Sequence, residues 1–412
     1  MGHAGIVKSE LVPLIDRLNK YPVGLVDNSK LRELLSILFD PEEAFVGARF
    51  PLEEATMEEL LRATGMEEGK LRHVLERMAQ KGLVADMPYR GVTYYLLIPG
   101  LIGFFEFTFM KNRTDIPMDR VAKLMAGYLE ERGEQGQMNE ILRSGTQLTR
   151  ALTYEDGIPV TSRVTSYEDA REIIKNASFG AAGMCYCRHK REHEGKACKR
   201  GAPVNGICIT LGEGARFLAR RGFQEQKSVE ELLAILDLAR SRNLTHITDN
   251  VRDKPTFICN CCRCCCVLMH GVRMGYHDGV AKTPFIARVD PEQCEYCGKC
   301  IASCNVKAIG MGKSSASGAA SDGARRFAVV DKAVCLGCGA CLASCQTGAL
   351  RLEERSSRPL PPRTHDAMFS WMMIEKGRYP PLLFSRIRKV ARNIHAILSG
   401  KGNTRPMHML DT

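Results

Sequence analysis

Two cysteine runs late in the 412-residue chain carry its clearest chemistry. Cys294-x2-Cys297-x2-Cys300-x3-Cys304 is followed by Cys335-x2-Cys338-x2-Cys341-x3-Cys345. Three thiolates on a tight loop can grip three corners of one iron–sulfur cube, while the fourth, opening a short helix, reaches across to a neighbouring cube. The spacing therefore predicts two [4Fe–4S] clusters with crossed ligand sets. Cys294, Cys297, Cys300 and Cys345 would hold one, and Cys335, Cys338, Cys341 and Cys304 the other, close enough for electrons to hop between them. Zinc sites and disulfides do not call for this repeated spacing.

A second constellation precedes the first. Cys185, Cys187, Cys198 and Cys208 come from one stretch, and Cys259, Cys261, Cys262, Cys264, Cys265 and Cys266 from another. If 259–266 is extended, Cys259, Cys261 and Cys265 face one side and Cys262, Cys264 and Cys266 the other. Each trio needs one or two more thiolates, which the first stretch can supply, so two further metal centres or one larger cluster are possible. Crowded soft thiolates beside an iron–sulfur segment favour iron–sulfur. Zinc is an alternative, with His189 and His193 at i, i+4 joining Cys185 or Cys198. Dithiol redox chemistry is another, although adjacent cysteines are poorly placed for unstrained disulfides. The two histidines fall in the basic run Arg188–Lys196 and read as surface residues rather than ligands. Arg188 and Arg263 could donate hydrogen bonds to cluster sulfurs, or be solvated.

The elements around these runs point to known architectures. Segment 285–353 resembles the bacterial dicluster ferredoxin domain: Ala308-Ile309 and Ala349-Leu350 follow each run as strands would there, and Val329-Val330-Asp331 leads into the second. The proline that usually follows the fourth cysteine is Asn305 in the first run and Gln346 in the second. Proline only stiffens that turn, so the resemblance still implies clusters. The Gly/Ser/Ala-rich stretch Lys313–Arg325 reads as a mobile loop.

Toward the N-terminus, Leu31–Phe39 reads as a helix. Thr56-Met57-Glu58-Glu59 is a capping box that opens a helix at 57–63, ended by Gly65. A second helix over 67–81 puts Leu71, Leu75 and Met78 on one face and stops at Gly82. Strands 83–85 and 92–97 flank a turn at Met87–Gly91. The order resembles winged-helix domains of the MarR type, which implies DNA binding through Lys70, Arg72, His73 and Arg77 on helix 67–81. Composition favours a protein-docking module instead. Residues 1–150 carry 19 Lys/Arg against 22 Asp/Glu, the helix opens with Glu67-Glu68, and the wing tip offers only Arg90. Phosphate neutralisation needs more positive charge than that.

Val92–Met110 is apolar enough to suggest a membrane span, but Pro99-Gly100 and Glu106 interrupt it, so a strand, a turn and a buried helix start fit better. Met118–Glu131 and Tyr167–Asn176 read as amphipathic helices, and a capping box at Ser228–Glu231 opens helix 228–241. Past Pro359–Pro362, Leu383, Ile387, Val390, Ile394 and Ile397 follow helical spacing amid Arg386, Arg388, Lys389 and Arg392. This basic amphipathic helix would pack on its own protein, a partner groove or an anionic membrane.

The expected protein is α+β and multidomain: a winged-helix-like domain (1–114), a helical connector (115–180), a cysteine-rich metal-binding domain (181–284), a dicluster ferredoxin domain (285–355) and a linker with a basic helix (356–412). This order of modules resembles a group of anaerobic bacterial proteins over about 30–350. Met1–Glu10 has no signal-peptide pattern and Ile6 breaks the myristoylation pattern, so the thiol-rich chain is expected in the cytoplasm, with an anaerobe implied by oxygen-labile clusters. The overall charge of +11 lies wholly beyond residue 150, where 39 Lys/Arg face 25 Asp/Glu. That asymmetry suits redox partners with acidic docking surfaces. No GxGxxG or P-loop fingerprint marks a nucleotide site. One-electron transfer between protein partners is the expected function. A redox-responsive DNA-binding regulator and an oxidoreductase with an open-site cluster in the middle domain are the alternatives.

Overall fold

Apolar residues spaced three and four apart fill the first 145 residues with helices. In the computed structural model, which describes residues 3–131, 133, 135–154, 166–313, 326–358 and 360–378, these are α1 (His3–Leu18), α2 (Ser29–Leu38), α3 (Pro41–Ala48), α4 (Met57–Thr64), α5 (Glu68–Lys81), α6 (Phe105–Thr108), α7 (Met118–Leu129) and α8 (Gln137–Leu142). Two capping boxes fix starts, Asp40 with Glu43 at α3 and Thr56 with Glu59 at α4. Gly65 and Gly82 close α4 and α5 in left-handed conformation, which a glycine adopts without steric penalty.

A small antiparallel sheet accompanies them, with β1 (Ala55–Thr56), β3 (Val92–Leu97) and β2 (Val84–Tyr89) in that order. The hairpin is tighter than its composition suggests. Strand β2 runs to Tyr89, and the turn shrinks to Arg90-Gly91, both at positive φ, the two-residue form that matches strand twist. Pro88 is tolerated because β2 is an edge strand. The apolar stretch 92–110 resolves into β3, a kinked turn at Gly100–Phe104 and the short α6. Among the described residues, no helix is long and apolar enough to cross a membrane.

The middle of the chain builds a six-stranded, wholly antiparallel sheet. Its order is β4 (Thr149–Ala151), β8 (Thr245–Asp249), β9 (Phe257–Cys261), β6 (Cys208–Leu211), β5 (Gly180–Gly183) and β7 (Gln224–Gln226). Helices α9 (Ala170–Lys175) and α12 (Val229–Ser241) cover one face, where Ile173, Leu232 and Leu236 meet Ile209 and Ile258. Alternation sends Cys208, Cys259 and Cys261 to the opposite face. Around that face lie α10 (Tyr186–His193), α11 (Gly212–Arg220) and α13 (Val267–Arg273).

Two separate two-stranded ladders follow, β10 (Phe285–Val289) with β13 (Leu350–Glu354) and β11 (Ile309–Lys313) with β12 (Arg326–Val330), and the short α14 (Lys299–Ser303). The whole is mixed α and β, as expected. The loop 314–325 and the basic helix at 383–397 lie outside the described residues. Helix α15 (His365–Glu375), which had no sequence signal, buries Met368 and Met372, and its Glu375 accepts from Thr146 N–H at 2.9 Å.

The N-terminal elements are clamped to the middle sheet's surroundings. Asp86, on the hairpin, accepts from Arg221 at 2.8 and 3.0 Å, and Arg221 also reaches Glu76 at 2.6 Å. Beneath them Phe107, Phe217 and Phe223 cluster with centroids 6.0–6.4 Å apart.

Within the N-terminal unit Glu43 is 0 % exposed and holds Lys81 at 2.7 Å while its carboxylate closes the α3 capping box. Removing it strands a cation and an N-cap donor together. Glu43→Ala is expected to destabilise the protein by about 3–5 kcal/mol, read as a lower chemical-unfolding midpoint by circular dichroism. A change under about 1 kcal/mol would contradict the buried-pair account.

Candidate metal centres

All eighteen cysteines are free thiols. In the 294–345 segment the helical turns fall between the third and fourth cysteines of each run. Helix α14 contains Cys300 and ends at Cys304, and a 3-10 turn at Leu342–Ser344 ends at Cys345. The fourth cysteine thus closes its helix, contrary to the expectation that it opens one. Left-handed Gly298 and Gly337 form the tight loops.

The thiols here influence one another in two overlapping sets, joined through Cys300 and Cys341. Burial raises the Cys341 thiol well above its ordinary range, and the neighbours that push it further are Cys338, Cys304, Cys335 and Cys300. Cys338 is raised to about 11 by burial, again with Cys304 and Cys335 adding to it. Cys300 is raised by burial, with Cys294 and Cys297 as its charged neighbours. Cys304 therefore faces the second run, across from the first run in which it stands. Its sulfur also accepts the Ala308 N–H at 3.2 Å.

The ten middle thiols do not sort as an extended strand would sort them. Strand β9 ends at Cys261, residues 262–265 turn, and α13 begins after Cys266. The turn brings Cys262, Cys264 and Cys265 round Cys198. Their sulfurs lie mutually within 4.8 Å, with separations of 3.8 Å (198–262), 3.7 Å (198–264), 3.5 Å (262–264) and 3.7 Å (264–265). An ion about 2.3 Å from each of four sulfurs gives a tetrahedron with edges of about 3.8 Å. The set therefore fits one tetrahedral ion, whereas a cube of metal and sulfide would hold its thiolates further apart.

The remaining six thiols form a string of contacts. Cys266 lies 3.2 Å from Cys261, Cys261 and Cys259 share a face of β9, Cys208 falls opposite Cys259 in the β6–β9 register, and Cys185 and Cys187 are the thiol neighbours that continue the string past Cys266. The histidines serve neither group. His189 is buried rather than on the surface, bonded to the Phe109 carbonyl at 2.8 Å and to His193 at 3.2 Å, and His193 turns to Asp119.

Three residues that composition did not single out as functional shape the site. Asn305, at the usual proline position, is 3 % exposed. Its amide donates to the Asn243 carbonyl at 2.8 Å and the Thr245 hydroxyl at 2.9 Å, and its oxygen accepts the Arg263 N–H at 3.1 Å. It joins the residue after Cys304 to the turn between Cys262 and Cys264, so the missing proline was itself the signal. Thr245 then contacts Cys338 Sγ at 3.5 Å. Glu106, the charge inside the apolar stretch 92–110, is buried beside Tyr186 and Cys259. Burial pushes its carboxyl up to about 7 although it accepts the Gly103 N–H at 2.7 Å.

Among known families, a model described as a 4Fe-4S binding domain matches residues 328–351. Comparison with curated proteins and with solved structures gave no match. The family match and the Cys198 set together support an iron–sulfur protein.

Gly337 provides a direct test of the second ligand loop. At φ +75 it packs so closely that a Cβ would collide with the Phe285 carbonyl and the Thr283 hydroxyl. Gly337→Ala should displace Cys335 and Cys338 and lower iron by about four atoms per chain. Unchanged iron in the purified variant would show that this loop holds no cluster.

Proposed function

We propose that the protein is a one-electron carrier between protein partners, built on two [4Fe–4S] clusters. Cys294, Cys297, Cys300 and Cys345 would bind one, and Cys335, Cys338, Cys341 and Cys304 the other. When bound, such clusters supply single-electron storage at low potential. The observation that carries this reading is the repeated Cys-x2-Cys-x2-Cys-x3-Cys spacing, and the place of Cys304 near the second run agrees with a crossed ligand set. The family match at 328–351 supports it for the second run. The near-symmetric layout, two strand ladders and two helical turns joined by the Ser303 and Ser344 hydroxyls, agrees with a dicluster ferredoxin module at 285–355.

The four-thiol set at 198/262/264/265 would take one divalent ion, zinc or iron. Its role is to tie the Cys198 loop to the 262–265 turn, which Arg200 and Asn305 in turn fasten to the ferredoxin segment. A redox protein gains from this rigidity because hopping distances stay fixed.

The N-terminal region is proposed as a winged-helix-like docking unit. Its candidate DNA-contacting cations are already engaged: Lys70 with Glu42 at 2.8 Å, Arg72 with Glu68 at 2.5 Å, and Arg77 with Asp40 at 3.0 Å. The wing hairpin is held by Arg220 and Arg221. These contacts favour partner selection over a DNA-binding regulator. The basic C-terminal half would meet an acidic partner surface.

The test is metal and sulfide analysis of anaerobically purified full-length protein, with EPR after dithionite reduction. About eight irons with matching sulfide in the 294–345 segment, and interacting signals from two reduced clusters, are expected. Fewer than about six irons per chain after reconstitution would sink the dicluster reading. Asn305→Pro restores the usual ferredoxin residue but removes the bonds to Thr245, Asn243 and Arg263. Clusters should still assemble, while amide-exchange protection at Thr245 and Arg263 falls by about 1–3 kcal/mol. Undiminished protection would mean that Asn305 does not join the two modules.

A further inference from the structure

We propose that Cys185, Cys187, Cys208, Cys259, Cys261 and Cys266 bind a polynuclear iron–sulfide cluster, separate from the four-thiol site and from the clusters at 294–345. The proposal rests on the iron–sulfur reading above and extends it to thiols that reading leaves without a role.

Four elements deliver these thiols to one side of the six-stranded sheet. Cys259 and Cys261 share a face of β9 because they are two residues apart. The pairing of Ile209 with Ile258 brings Cys208, one residue earlier on β6, beside Cys259. Gly183 pairs with Cys208, and the chain leaves β5 there to present Cys185 and Cys187. Cys266 arrives from the far side of the 262–265 turn, 3.2 Å from Cys261 and with Cys187 as a further thiol neighbour. Cys187, Cys261 and Cys266 are buried.

The arrangement differs in kind from the four-thiol set. Among the described residues, the Cys198 set is where three or more ligating atoms lie mutually within 4.8 Å. The six are strung in sequence instead, so one ion cannot take four of them. A zinc–thiolate cluster would need shared thiolates packed as tightly as the Cys198 set. A cluster whose several irons each take one or two protein thiolates, with sulfide completing their shells, fits a string. Soft thiolates suit zinc, copper(I) and iron–sulfide alike, and of these the string arrangement favours iron–sulfide. Each thiol gives up its proton on binding, so assembly releases one proton per ligand.

A buried cation is an independent sign of that negative charge. Arg188 is 1 % exposed, and Nη2 donates to the Asn260 carbonyl at 2.7 Å. Nε and Nη1 meet no oxygen or nitrogen acceptor. The charged neighbours of the guanidinium as a whole are thiols: Cys185 at the head of the string, and Cys262 and Cys198 of the four-thiol set. A guanidinium left this way in the interior is costly unless thiolates balance it. The other end of the string points to use. Cys261 lies across the ladder from Thr245, whose hydroxyl touches Cys338, so the proposed centre stands one strand pair from a ferredoxin thiol.

Native mass spectrometry of the anaerobically purified full-length protein, with iron and sulfide assays, tests this. The holo-minus-apo mass should exceed two [4Fe–4S] cubes and one ion by at least about three irons with sulfide. Cys261→Ser/Cys266→Ser should lose that excess and keep about eight irons, whereas Cys198→Ser/Cys264→Ser should lose only a single ion. A wild-type mass accounted for by two cubes and isolated ions overturns the proposal, and needs no variant to fold. So does loss of zinc alone, or of two or fewer irons, from the Cys261/Cys266 variant. Because the excess is read separately from the iron at 294–345, failure of the dicluster reading would appear as a deficit in the Cys261/Cys266 variant's residual iron instead.

Discussion

The region from Cys185 to Cys266 brings ten thiols together, and binding metal would turn them into mutually repelling thiolates, so the constraint on this region is a counter-charge held close to them. Arg188 is the answer closest at hand. Its guanidinium reaches across from α10 to the Asn260 carbonyl and faces thiols of both middle groups. Asn260 has its own amide bonded to the Ile207 carbonyl and to His246. Burial lowers His246 to about 4, so it stays neutral and adds no competing charge. One backbone carbonyl, one arginine and one asparagine thus anchor a positive charge where the thiols meet, on the central strand of the sheet.

The neighbouring strand couples the middle sheet to the segment that carries the 4Fe-4S family match. Thr245 on β8 pairs with Cys261 on β9 and touches Cys338. Asn305 adds a second tie, from the residue after Cys304 to the turn that carries Cys262 and Cys264. Tyr154 adds a third, its N–H donating to the Cys338 carbonyl at 3.2 Å. A side chain from β8 thereby reaches the Cys338 sulfur, and the backbone of the 262–266 turn meets the residue after Cys304. The cost is that Asn305 must be buried with all its hydrogen-bonding capacity met, which a proline in its place would not require.

Much of this was legible because it is local. Capping boxes at Thr56 and Ser228, glycines at 65 and 82, and apolar spacing in α5 and α7 fix elements through contacts within a few residues. The second cysteine run is legible for the same reason, its spacing being local, and the 4Fe-4S family match falls on it at 328–351. Apart from the hairpin turn and the fourth cysteines, which close their helices, the failures are non-local. Alternation along 259–266 broke because the β8–β9 ladder ends at Cys261 and the chain then turns toward Cys198, far earlier in the sequence. His189 looks exposed by its basic neighbours, yet α10 packs against α7 and turns it to the Phe109 carbonyl. Helix α15 has little amphipathic signal because its methionines are gathered on a surface contributed by distant helices.

The turn at 262–265 carries the most consequence for its length. Cys264 and Cys265 converge on Cys198, while the next residue, Cys266, points to Cys187 and Cys261. Consecutive side chains can serve two different groups only because the backbone changes direction between them, from the end of β9 into the start of α13. That reversal is held by three bonds: Cys266 N–H to the Cys262 carbonyl at 3.3 Å, Arg263 N–H to Asn305, and Arg273 to the Arg263 carbonyl at 2.9 Å. One of the three comes from the ferredoxin segment. Undocking that segment would therefore loosen the turn and disturb both thiol groups at once, so the middle region and the ferredoxin segment behave as one structural unit even though each has its own strands.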